Sequence, residues 1–492
     1  MPVHRPIRSR RSRLVAVVAS VALVLTGCTS VVNGTLGAHS VPDAHLPVKG
    51  VTNSSFDTFA QNALSDIEAF WRANYPKISG GKALPPIKGG YYSVDGRAVA
   101  VSGKATAPAT QNACIAQEND AIVDNAFYCR SDDSIAWDRS PTHLLGKLSA
   151  KYGRLLVGLI FAHEFGHAIS NRLGVFDNDP ATIYTESQAD CAAGAWAASA
   201  LKNQDPHFTD TTVAKLDEAF EGYLNSRDST PDTPQDISHG NGFDRLSALA
   251  DGLDKGVTYC YSSGYFQSRH FTERPFASQD DYDAGGNQPL SDVIDTSSSN
   301  LFVQDLNRYW TAEAKTSSGN TTFDAVKIAE ADHPPCAATT VKFGYCADDN
   351  TVYFDTDFAK SAYYSLSQIG ADKQTGDIVI QDNQPADFAL GVLFAIAWGM
   401  AVRHQLFNRS LDGKDALLAA VCYSGSYAKD INIASDPSQT RKIILSPADL
   451  DEAVSAMLKQ AGEPAAFGAD DTSGLDRIQS FVKGYNGGLA VC

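Results

Sequence analysis

Two histidines separated by three residues, the first followed by a glutamate, stand at His163, Glu164 and His167 in the run F-A-H-E-F-G-H-A-I-S, 161–170. On a helix, positions four apart share one face, so both imidazoles can reach a single metal ion. Glu164 turns towards a neighbouring face, within reach of a metal-bound water but not of the metal itself. Such a set suits metal-assisted hydrolysis: the cation lowers the pKa of water, and a carboxylate takes the proton. A hydrolytic zinc ion needs a third protein ligand and keeps its fourth position open. T-E-S-Q-A-D-C, 185–191, offers Glu186 and, one helical turn later, Asp190. Glu186 can complete a His2Glu site, and Asp190 can accept the free ring N–H of a ligating histidine and fix its tautomer.

These residues need two helices joined by a turn. Gly174 and N-D-P, 178–180, supply the turn. The second helix continues as A-D-C-A-A-G-A-W-A-A, 189–198, which is small and apolar. Both carboxylates therefore enter a mostly buried helix, where they require partners. Upstream, Asn125 to Asp138 reads as two short strands around a turn. A strand beside the histidine helix could bind an extended peptide by main-chain pairing.

The chain has 492 residues and a formal charge of −17. Arg5, Arg8, Arg10, Arg11 and Arg13 precede an apolar run from Leu14 to Leu25, so residues 1–27 read as a signal peptide. The run ends L-T-G-C, which resembles the lipobox of bacterial lipoproteins and implies a lipid on Cys28. Loss of the five arginines leaves 35 Lys and Arg against 57 Asp and Glu, a charge of −22. So acidic a body excludes nucleic acid and does not lie flat on anionic lipid. Its expected place is the extracytoplasmic face of the cell membrane, held there by the lipid at Cys28. Eight further cysteines, Cys114, Cys129, Cys191, Cys260, Cys336, Cys346, Cys422 and Cys492, form an even set. In an exported chain they read as disulfides, with on the order of a hundred possible connectivities.

An internal repeat narrows that number. D-I-E-A-F-W (66–71) returns as D-L-N-R-Y-W (305–310), and F-Y-C-R-S-D-D-S-I-A-W-D (127–138) as G-Y-C-A-D-D-N-T-V-Y-F-D (344–355). V-G-L-I-F-A-H-E-F-G-H-A-I-S (157–170) returns as L-G-V-L-F-A-I-A-W-G-M-A-V-R (390–403), and C-A-A-G-A-W-A (191–197) as C-Y-S-G-S-Y-A (422–428). Matches in the same order indicate a tandem duplication. The expected layout is a signal peptide at 1–27, a tether at 28–54, a first domain at 55–262, a linker at 263–289 and a second domain at 290–492. Duplication carries connectivity with it. Cys114–Cys129 should mirror Cys336–Cys346, and Cys191–Cys260 should mirror Cys422–Cys492. Against His163, Glu164 and His167 the second copy has Ile396, Ala397 and Met400; against Glu186 and Asp190 it has Leu417 and Val421. Apolar replacement is the safest refilling of a buried site without its metal, because leftover charges would be unpaired. The second copy is therefore expected to bind no metal.

F-Y-C with a following I-x-x-D, H-E-F-G-H, E-S-Q-A-D-C-A-A-G-x-W-A, and a late H-G-x-x-x-x-R ending in cysteine resemble the putative neutral zinc metallopeptidase family of bacterial envelope proteins. The resemblance covers roughly 110–260 well and 290–492 only as a degenerate copy, and the whole layout is similar to mycobacterial lipoprotein peptidases. The flank H-E-F-G-H-A-I-S departs from the family's usual H-E-x-G-H-H-x-Q. The resemblance implies an α+β zincin fold, one Zn2+ bound by His163, His167 and Glu186, and Glu164 as general base and acid. His239, opposite Asp471 in the second copy, is a candidate oxyanion donor. The expected substrate is a peptide or envelope protein. The alternatives are a zinc hydrolase of cell-wall peptide or amide bonds, and a non-catalytic envelope scaffold that binds partners.

Overall fold

The computed structural model describes residues 41–492 except 228–237, 273–275, 277, 318–320, 339, 373–374, 434–442 and 469–470. The expected signal peptide, Cys28 and the tether as far as residue 40 thus lie outside the described residues. Helix α1 (Ser55–Ile78) begins where Ser54 accepts the backbone N–H of Asp57. Phe59, Ala63, Ile67, Trp71 and Tyr75 recur every four residues and form its buried face. The strands β1 (Val48–Lys49), β2 (Gly90–Val94), β3 (Ala126–Cys129) and β4 (Ser134–Asp138) form one sheet in the order β1-β2-β4-β3. β2 and β4 are parallel, whereas β3 pairs antiparallel to β4 with Tyr128 opposite Ile135. The two strands expected at 125–138 are therefore present, and β3 is an edge.

Five longer helices follow in the N-terminal half: α2 (Leu144–Tyr152), α3 (Arg154–Arg172), α4 (Thr182–Leu201), α5 (Val213–Tyr223) and α6 (Gly242–Lys255). α3 is buried on nearly all sides, so its apolar run Leu155, Leu156, Val157, Leu159 and Phe161 suits its place. It stops before Gly174, whose φ of 71° is left-handed. Gly166 lets α3 approach α4: a Cβ there would stand 3.0 Å from the Cα of Ala189. A Cβ on Gly194 of α4 would stand only 1.9 Å from the carbonyl oxygen of Leu249 on α6. Three helices are thus packed at backbone distance around the predicted site.

The C-terminal half holds α7 (Leu301–Ser317), a second sheet of β5 (Lys327–Glu330), β6 (Phe343–Cys346) and β7 (Thr351–Phe354), and a hairpin of β8 (Leu366–Ala371) and β9 (Ile378–Gln384). In the second sheet, ordered β5-β7-β6, β5 runs parallel and β6 antiparallel to β7. Helices α8 (Asp387–Gln405), α9 (Lys414–Ile433), α10 (Asp449–Leu458) and α11 (Gly474–Gly487) follow. α8 is apolar from Phe388 to Val402 and buried there on every side, as in a core helix. Ile396, Ala397, Met400, Leu417 and Val421 are all buried.

Disulfides join Cys114 to Cys129, Cys191 to Cys260, Cys336 to Cys346 and Cys422 to Cys492, the pairing expected from the repeat. Residues 43–492 form one unit by their contacts. The β8–β9 hairpin reaches into the N-terminal half: Ile378 donates its N–H to the carbonyl of Thr142 at 3.2 Å, and Asp382 pairs with Lys151. In the segment 263–289, Tyr265 is buried and donates its hydroxyl to the carbonyl of Ser187 on α4 at 2.8 Å. The architecture is α+β.

Candidate metal centre

His163, Glu164 and His167 project from α3, and Glu186 and Asp190 from α4, across the gap that Gly166 keeps narrow. His163 Nε2 lies 3.0 Å from Glu186 Oε2 and 3.1 Å from His167 Nε2, and His167 Nε2 lies 3.2 Å from Glu186 Oε1. Ligand atoms bound tetrahedrally at about 2.0–2.1 Å from zinc would be separated by about 3.3 Å. The triangle is within a few tenths of an ångström of that spacing, so the three groups fit one zinc ion. Two imidazole nitrogens that face each other so closely, with a carboxylate beside both, have a natural common partner in a cation.

Behind this triangle, His163 Nδ1 lies 2.7 Å from Asp190 Oδ1. That contact places the ring proton on Nδ1 and leaves the Nε2 lone pair free for a metal. Asp190 is fully buried and cannot stand alone. Arg245 of α6 donates through Nε to Oδ2 and through an Nη to Oδ1, both at 3.0 Å, and the Tyr223 hydroxyl donates to Oδ1 at 2.5 Å. Arg245 also donates to the Tyr223 hydroxyl at 2.8 Å and to the Ser226 carbonyl at 2.5 Å. Burial pushes the Asp190 carboxyl up, but Arg245 and His163 overturn this and hold it down at about 2. Burial likewise pushes His163 down, yet Asp190 and Glu186 outweigh it and raise the ring to about 10. The same two carboxylates favour a metal cation where they would otherwise favour a proton.

Glu164 stands apart from the triangle, its Oε1 4.0 Å from His163 Nε2. Its Oε2 accepts the backbone N–H of Tyr128 at 2.8 Å, so the carboxylate is held against the edge strand β3. Burial raises its pKa above the ordinary carboxylate range. His167, the least buried of the three nearest groups, faces Phe176 at a centroid distance of 6.4 Å. His239 is exposed on the approach to α6, between buried Ser238 and Gly240. Asp138, the aspartate of I-x-x-D, has a different task. Its oxygens accept the N–H groups of Gly96, Ser140 and Asp124 and bind His143 Nδ1 at 2.5 Å, which knots the sheet to α2.

Arg245 and Tyr223 were not singled out by the sequence. Arg245 closes H-G-x-x-x-x-R, but the D-R pair persists at Arg477 and so reads as scaffold. In the sequence match Val421 falls opposite Asp190, and Arg477 donates to the carbonyl of Met457 at 2.6 Å. Tyr223 carries no local signal at all. Residues 107–262 match the model of the family described as putative neutral zinc metallopeptidase. No curated protein and no solved structure matches the chain. The matched segment, about a third of the chain, encloses His163, His167 and Glu186 together with Asp190, Tyr223 and Arg245, and in it the chain is similar to the putative neutral zinc metallopeptidase family.

Proposed function

We propose that the chain is a zinc metalloendopeptidase, anchored by a lipid on Cys28 at the extracytoplasmic face of the membrane, with 55–262 as catalytic domain and 290–492 as its degenerate copy. The observation that carries the reading is the convergence of His163, His167 and Glu186, with Asp190 locked behind His163. Zinc held by these three groups supplies a Lewis acid that activates water and polarises the scissile carbonyl. Glu164, raised by burial, takes the proton of the attacking water on its carboxylate and delivers it to the leaving amine. Its bond to Tyr128 keeps it from swinging onto the metal position. An extended peptide laid along the edge strand β3 would run past Glu164, which favours a peptide substrate.

Support for the duplication comes from paired details. The two sheets share a parallel–antiparallel strand arrangement. The long disulfides span 69 and 70 residues. Gly399 and Gly425 repeat the close helix approaches of Gly166 and Gly194: a Cβ added there would stand 2.6 Å from the Ala420 carbonyl oxygen and 2.1 Å from that of Phe481.

The soluble ectodomain is expected to carry about one zinc per chain and to cleave casein or a mixed peptide library, with activity abolished by a chelator and restored by zinc. A metal-free ectodomain that takes up no zinc would sink the proposal. Cleavage confined to cell-wall cross-links would move the reading to that substrate class. For the anchor, Cys28→Ala should shift the chain from the membrane to the soluble fraction. A wild-type chain that is already soluble and unlipidated rules the anchor out.

A further inference from the structure

Helix α6 owes part of its N-terminus to the other half of the molecule. The N–H of Phe243, in its first turn, donates to Asp451 Oδ1 at 2.8 Å, and Asp451 Oδ2 pairs with Arg227 Nε at 3.2 Å. Asp451 is 2% exposed and sits on α10, in L-D-E-A (450–453). The same four letters occur at 216–219 on α5. There Asp217 does the reverse: its oxygens accept the N–H groups of Gly474 at 2.7 Å and Leu475 at 3.1 Å, at the start of α11. Each half therefore caps the closing helix of the other, the reciprocity of a two-fold interface within one chain. Lys459 and Glu221, 2.8 Å apart, and Phe243 packed on Tyr485 at 5.0 Å extend the same contact.

The exchange is symmetric in geometry but not in consequence. α11 carries Arg477, whose Nε meets a carbonyl. α6 carries Arg245, which grips the carboxylate behind His163. We infer that Asp451, supplied by the non-catalytic half, is a positioning residue of the metal centre: it fixes the start of α6 so that Arg245 keeps Asp190 on His163. This rests on the zinc reading above and gives the C-terminal half a role in it.

The test compares Asp451→Ala with Asp217→Ala in the full ectodomain, loaded with zinc. Both remove an equivalent cap, so both should lower the apo-protein's thermal midpoint by similar amounts. Only Asp451→Ala should speed zinc transfer to a chromophoric chelator, by about tenfold, the lower end of the effect of losing an outer-shell partner. Asp451→Asn keeps an acceptor for the Phe243 N–H and should recover part of the difference; it also serves if the alanine variant does not fold. Zinc release at the wild-type rate in both Asp451 variants, or equal acceleration in Asp217→Ala, overturns the inference while leaving the zinc reading intact. A wild-type chain that takes up no zinc overturns both.

Discussion

Glu164→Gln keeps its zinc and loses its catalysis, whereas His163→Ala loses both. The distinction follows from where the atoms stand. His163 Nε2 is one corner of the ligand triangle, and its removal leaves two protein ligands where hydrolytic zinc sites use three. Glu164 lies outside the triangle at 4.0 Å and is tied to the N–H of Tyr128. Glutamine has the same shape and can still accept that N–H, but it cannot take a proton. Hydrolysis is then expected to fall by about 10²–10⁴-fold, the usual worth of a positioned acid–base group, at unchanged metal content. Metal analysis beside steady-state kinetics checks this, and equal zinc loss in both variants contradicts the assigned roles.

Arg245→Met is the second large effect, and it acts on stability as well as on the metal. Asp190 is 0% exposed, and Arg245 is its bidentate partner. Methionine fills the space but leaves a buried carboxylate supported only by Tyr223 and His163. Breaking a buried pair in this way costs about 3–5 kcal/mol. Zinc affinity should fall by about ten- to a hundredfold as the hold on His163 loosens. Arg477→Met offers an internal contrast. Its Nε bonds a carbonyl and its Nη the carbonyl and hydroxyl of Thr472, so its loss should cost about 1–3 kcal/mol with no change in zinc binding. Urea unfolding of the two metal-free variants decides the matter. Equal losses would show that Asp190 does not depend on Arg245.

The ligands were legible because a helix converts spacing into direction. His163 and His167 at four residues, and Glu186 and Asp190 at four residues, needed only the turn at Gly174 to meet. The four disulfides were legible because short stretches of sequence recur in the same order. The same repetition hid Arg245, since a residue kept in both halves looks like framework when its neighbours alone have changed. Arg245 meets the carboxylate of Asp190, whereas Arg477 meets the carbonyl of Met457. Tyr223 and Asp451 were invisible for a different reason. Tyr223 reaches Asp190 across 33 positions and Asp451 reaches Phe243 across 208, through contacts that no local period encodes. Among the described residues the β8–β9 hairpin likewise has no counterpart strand in the N-terminal half, so no internal comparison could place its contact with Thr142.

The apolar girdle of α8 has a consequence for how the chain comes off the ribosome. Its polar counterpart α3 carries two imidazoles and a carboxylate on its surface, which water can solvate while the rest of the fold is still missing. α8 has no such reserve: Ile396, Ala397 and Met400 leave it greasy on every side until α9 and α10 arrive to cover it. Those helices are synthesised afterwards, and Asp217, which seats α11, waits in the half already made. A nascent chain that has reached Gln405 but not Leu458 therefore exposes the apolar stretch from Phe388 to Val402. Premature stops in that window should yield aggregates rather than a soluble truncated chain, even though His163, His167 and Glu186 have by then been translated.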